Sequence, residues 1–249
     1  MKKLNFILAA TLLCSLLGAT MFVSCNKDDE GKDEGYQRGL YTDVVPDDGS
    51  NSSKYGITDE DLAPRAADLD VEVAALKAVW KVETGGKGGF LANGKPVILF
   101  EGHIFWQQLR TRGINPQNYA KGNEDILYQK LDKTKYVGGV GEYDRLNSAI
   151  EINEDAALCS TSWGMFQTMG YLHKACGCET VQEFVAKMEE SELFQLDLFI
   201  NFLKSNPNMV KALHNRDWKT FAKLYNGPSY AQNKYDVKLS AAYSSYTKQ

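Results

Sequence analysis

Two carboxylates stand where this 249-residue chain has little else that is polar. Glu83 closes the run "ALKAVWKVE", and the flexible "TGGKGG" follows at once. Glu101 ends "KPVILFE", ahead of another apolar stretch, "GHIF". An acid at the end of a buried helix lies against an apolar wall, here including Trp80. Partial desolvation then raises its pKa, so it keeps a proton near neutral pH and can donate it. Glycosidic cleavage needs such a donor, commonly opposite a second carboxylate that orients water or supports positive charge. A solvated helix-end acid and a helix-capping acid are the plainer readings of Glu83 and Glu101.

Two further segments carry groups suited to sugars. In "STSWGMFQTMGY", Trp163 offers a flat ring, Ser162 a hydroxyl and Gln167 an amide that both donates and accepts, with Gly164 allowing close backbone approach. In "KLYNGPSYAQNKY", Tyr225 and Tyr230 flank a corner made by Asn226, Gly227 and Pro228. Read alone, the first is equally a packed loop entering a helix, and the second a helix–turn–helix corner. Glu142 in "GGVGEYDRL" reads as a helix-start acid rather than a third site acid. His103, His173 and His214 show no ligand spacing, so neither a metal nor a cofactor is expected.

The elements that must position these groups are mostly helices. The pattern predicts a helix over Val71 to Val82, then a two-residue Asn93-Gly94 turn between Phe90-Leu91 and Val97-Phe100, with Pro96 implying an edge strand. Further helices are expected over Ile104 to Arg110, Tyr143 to Leu158, and onward from a Thr180–Glu183 capping box. Glu192 to Lys204 is apolar on nearly all faces and belongs in the core. Asp217 caps a short helix ending at the Tyr-Asn-Gly corner, and a last helix runs from Tyr230. The expected class is α+β, predominantly helical, with one small β-hairpin.

The order of these segments carries more than any one of them. An acid at a helix end, a Ser-x-Gly-x-x-Gln segment and a Tyr-Asn-Gly corner resemble the motif series of the lysozyme-like superfamily. More closely, "ALKAVWKVETGGKGGFLANGKPVILFEGHIFW", "SWGMFQTMG" and "LYNGPSYAQNKYDVKL" resemble the N-acetylmuramidase family found in phage endolysins, over Val71 to about Tyr243. The resemblance implies a lysozyme-like fold with the hairpin beside the active-site cleft. It also implies hydrolysis of the β-1,4 bond between N-acetylmuramic acid and N-acetylglucosamine in peptidoglycan. Glu83 then matches the general acid and Glu101 the second acid; Ser162, Gln167, Tyr225 and Asn226 match cleft-lining positions, with Trp163 and Tyr230 as stacking partners. Leu224-Tyr-Asn-Gly-Pro228 departs from the Ala-Tyr-Asn-Ala-Gly usual in lytic transglycosylases. A transglycosylase giving 1,6-anhydro products and a non-catalytic glycan-binding lipoprotein are the alternatives. No nucleic-acid partner is expected, and the protein is expected to be a monomer.

The N-terminus is a separate matter. Lys2 and Lys3 precede an uncharged run from Phe6 to Val23, the n- and h-regions of a secretory signal over residues 1–24. The small residues before Cys25 resemble a bacterial lipoprotein cleavage site, which makes Cys25 the lipidated residue and the lipid a membrane anchor. "CNKDDE" after it resembles the surface-export signal of Bacteroidetes lipoproteins, so the expected place is the cell envelope, as an outer-membrane lipoprotein. From Asn26 to Asp70 the chain has 13 acids against 5 bases, the composition of a solvated tether (25–70) ahead of a nearly neutral catalytic domain (71–249). Cys159, Cys176 and Cys178 allow one disulfide with one thiol over.

Overall fold

The computed structural model describes residues 44–46 and 54–248; the leader, with Cys25, lies outside them. Among the described residues there are eleven α-helices and two small antiparallel sheets. The expected α+β, mainly helical class holds.

The core is organised around the helix predicted to be apolar on nearly all faces, Glu192–Lys204, of which Asn201 and Lys204 are exposed. Leu196, Phe199 and Leu203 are buried, and the Phe199 ring stacks on Phe166 with centroids 4.0 Å apart. Burying each such side chain contributes roughly 1.5–3 kcal/mol. Helix α2 (Val73–Thr84) buries Ala75, Leu76, Ala78 and Val79, and packs against the last helix, Tyr235–Thr247. Strand β2 (Lys87–Leu91) leads into a turn and then β3 (Ile98–Phe100).

The turn is wider than the two residues expected. Leu91 N donates to Lys95 O at 2.8 Å and Gly94 N to Leu91 O at 2.8 Å, enclosing Ala92, Asn93 and Gly94. Gly94 is left-handed at φ 76° while Asn93 is not, so the two-residue turn that needs positive φ at both positions is ruled out. The ladder parts near Pro96, which lacks an N–H. Here β2 pairs with β1 (Val44–Pro46), whereas β3 pairs with β4 (Thr161–Trp163), and β4 with β5 (Thr168–Met169). "TSWGMFQTM" is thus a second hairpin, where a loop entering a helix was the plainer expectation.

Two other boundaries move. The helix expected from Tyr143 to Leu158 is two, Gly141–Ile150 and Glu154–Cys159, because the Asn153 side chain accepts from Ala156 N at 2.9 Å and starts a new helix. The tether does not run to residue 70. Helix α1 (Asp59–Asp68), capped by Thr58, sends Leu62 and Ala66 into the core beside Ile57 and Leu69. Its acidic first turn suits a helix N-terminus as well as it suits a solvated linker. Cys159, Cys176 and Cys178 are all buried free thiols.

Candidate active site

Helix α2 runs one residue past Glu83 and stops at Gly85, which is left-handed at φ 62°; Gly86 follows at φ 73°. A side chain at either position would strain the backbone, so the two glycines end the helix and turn the chain away from the acid. Glu83 is half-buried. Its Oε1 accepts from Asn226 Nδ2 at 3.5 Å, a long contact. Desolvation pushes the carboxyl up to about 8, against the opposing pulls of Asn226 and Lys238. The acid therefore holds its proton at neutral pH.

Asn226 is the last residue of the helix Trp218–Asn226, and Gly227 ends it at φ 78°. The same helix buries Tyr225, whose ring stacks on Phe221 with centroids 5.8 Å apart and meets Phe199 edge-on. Burial holds the Tyr225 hydroxyl well above its ordinary pKa, and the Glu83 charge adds to the effect. The structure thus brings together Glu83, Tyr225 and Asn226 as the motif order implied.

Glu101 is placed by the second sheet. Register pairs Ile98 with Trp163 and Phe100 with Thr161; Glu101 N then donates to Ser160 O at 2.9 Å before the helix Gly102–Thr111 begins. Gly102 is required by close approach: a Cβ there would lie 2.3 Å from the Tyr128 ring. Glu101 is 1 % exposed, and Tyr136 Oη donates to its Oε2. His103 Nδ1 lies 3.4 Å from the same oxygen, but burial lowers the imidazole to about 4, so it is neutral and adds no countercharge. Burial raises Glu101 to about 7; Tyr136, Arg145 and Lys133 pull down, and Glu142 pushes up. Arg145, Lys133 and Glu142 act on Glu101, whereas Lys238 acts on Glu83.

The remaining expected residues are differently disposed. Trp163 is 1 % exposed, its Nε1 donating to Leu158 O at 3.3 Å, and it offers no open face for a sugar. Tyr225 and Tyr230 are also buried, at 8 % and 9 % exposure. Ser162 Oγ donates to Gln167 Oε1 at 2.9 Å, and Gln167 Nε2 to Gly164 O at 2.9 Å, so this pair closes its own hairpin. These aromatic and polar positions are buried or bonded within their own hairpin instead of lining an open surface.

Three further polar residues hold the elements that carry the site. Glu142 is fully buried and accepts from Phe100 N (3.0 Å), Val137 N (2.8 Å), Gly138 N (3.0 Å) and Arg145 Nη1 (2.7 Å), so it is a structural acid, as its helix-start position suggested. Glu192 accepts from Gly89 N and Gly56 N, each at 2.6 Å. Gln195 Oε1 accepts from Met165 N at 2.8 Å. The last two are buried polar side chains in a mostly apolar helix, and that contrast was the available clue.

The helices beside small antiparallel sheets form a lysozyme-like fold, and the class is a glycoside hydrolase. The N-acetylmuramidase profile (Muramidase) matches residues 72–247. The crystal structure of the Burkholderia AP3 phage endolysin is similar to this chain, with TM-score 0.74 and 37 % identity over 87 % of this chain and 86 % of that one. No curated protein matches. The chain belongs to the N-acetylmuramidase family and is a peptidoglycan hydrolase.

Proposed function

We propose that the enzyme hydrolyses the β-1,4 bond between N-acetylmuramic acid and N-acetylglucosamine, with Glu83 as general acid. The observation that carries this reading is Glu83 itself: an acid at the glycine-broken end of a buried helix, pushed up to about 8 by desolvation. It protonates the glycosidic oxygen as the bond breaks, which the leaving alkoxide requires. Asn226 holds the carboxyl towards the bond, and Lys238 supports the carboxylate left after transfer. Glu101 serves in its ionised form. Its burial suits a fixed negative charge that stabilises the oxocarbenium-like transition state, more than a nucleophile that must reach the sugar. Ser162, Gln167, Trp163, Tyr225 and Tyr230 support the site through packing and hydrogen bonds rather than by touching sugar.

Mass spectrometry of purified peptidoglycan after digestion tests this. Reducing-end N-acetylmuramic acid products, one water heavier than the anhydro forms, are expected. Anhydro products would make the enzyme a transglycosylase, and reducing-end N-acetylglucosamine would place the cut at the other bond.

Anchoring by lipid at Cys25 in the cell envelope belongs to the same proposal, supported by the basic, apolar and small-residue order of residues 1–25. Labelling with a fatty-acid probe is expected to mark the parent and not Cys25→Ser; a parent that takes up no label, or equal label in both, would refute lipidation at Cys25.

A further inference from the structure

The loop of residues 129–140 lies between the helix that Glu101 begins and the one that Glu142 helps to start. It runs through Lys130, Lys133 and Lys135 to Tyr136, and Val137 and Val140 at its far end are 60 % and 51 % exposed. Tyr136 sends its hydroxyl inward to Glu101 Oε2. The next two residues are tied down at once, since Val137 N and Gly138 N both donate to Glu142 Oε1. The other oxygen of Glu142 accepts from Phe100 N, the residue before Glu101. One buried carboxylate thus fixes both the strand that carries Glu101 and the loop that carries its hydroxyl partner. Arg145 locks that carboxylate and also donates to Phe100 O at 2.9 Å.

We propose that Tyr136 is a positioning residue for the hydrolytic reaction, holding Glu101 in a single orientation as the ionised partner of the proton donor, with Glu142 as the latch that sets the Tyr136 loop against strand β3. The inference rests on the reading in which Glu101 acts as a charge. A hydroxyl that donates to a carboxylate favours the ionised form, and so opposes the burial that favours the neutral one. The other groups facing Glu101 are Arg145 and Lys133, which favour ionisation, Glu142, which opposes it, neutral His103, and Tyr128, whose hydroxyl burial keeps protonated. All of them remain in Tyr136→Phe, so that variant isolates one hydroxyl.

The test compares the full chain, Tyr136→Phe and Glu101→Gln on soluble peptidoglycan fragments from about pH 5 to about pH 9, alongside thermal melting. Tyr136→Phe is expected to lower kcat about tenfold at neutral pH, the loss of one hydrogen bond to a charged group, with KM within about twofold. The acid limb of its pH profile moves to higher pH, and its Tm stays near that of the parent. An unchanged kcat and limb beside an inactive Glu101→Gln overturns the role of Tyr136 and leaves that of Glu101 standing. A kcat loss that only follows a fallen Tm, with the limb unmoved, makes Tyr136 structural and also overturns the proposal. Full activity in Glu101→Gln overturns both readings.

Discussion

Around Glu83 the protein supplies one long hydrogen bond, 3.5 Å from Asn226, and the charge of Lys238. Around Glu101 it supplies a tyrosine hydroxyl, a neutral histidine and, one strand residue back, a Glu142–Arg145 pair with every carboxylate oxygen engaged. Both carboxyls are raised by burial, to about 8 and about 7. The difference lies in how firmly each is held. A group that must release a proton and take it back is served by few bonds that would favour one protonation state. A group whose charge must sit in a fixed place is served by a stiff frame, and a buried frame needs all its polar groups satisfied.

The largest break in that comparison is expected from the frame. Glu142→Leu leaves Arg145 and the amides of Phe100, Val137 and Gly138 without their carboxylate, at a cost of about 3–5 kcal/mol. Urea denaturation measures this, and a loss below about 1 kcal/mol would show that the frame is not what holds the Glu101 side together.

A smaller effect separates the two acids by pH. Each has a folded-state pKa above its ordinary 4.5, so the folded chain binds protons that the unfolded chain has released. Stability is therefore fullest below about 4.5 as far as these groups are concerned, and it falls as pH rises through about 7 and about 8. Between those two values the slope is chiefly that of Glu83, so Glu83→Gln flattens it there while the fall below about 7 persists. Melting temperature against pH reads this directly, and an unaltered slope would mean that Glu83 is not the raised carboxyl described.

The smallest effect is at Asn226. Asn226→Ala removes a long contact and costs within about 1 kcal/mol. Because that contact favours the ionised carboxylate, its loss raises Glu83 further, and the alkaline limb of the activity profile moves up. A limb that moves down would reverse the assigned role of the amide.

Much of this arrangement is visible in the sequence, for reasons that differ by residue. Glu83 is legible through the order of the motif series, since a helix-end acid alone reads as solvated, and the helix Glu192–Lys204 because nearly all of its faces are apolar. The hairpin neck is legible from Asn93-Gly94, though not its width, since Leu91 N bonds to Lys95 O and encloses three residues with only Gly94 left-handed. Trp163 misleads because an indole beside a glycine reads the same whether it faces sugar or core; only the pairing of β4 with β3 turns it inward. Tyr136 is invisible, lying 35 residues from Glu101 in a lysine-rich loop with no periodicity. Residues 57–69 misled through composition, because the acids of a helix's first turn look like those of a linker.

The central claim is that Glu83 delivers the proton. Its most direct test is the rate of reducing-end release from purified peptidoglycan by the full chain and by Glu83→Gln, with melting curves to show both are folded. The account predicts a loss of about 100- to 10,000-fold for a folded Glu83→Gln, the usual worth of a general acid. Release by Glu83→Gln within a few-fold of the parent would contradict it and take Glu83 out of the chemistry.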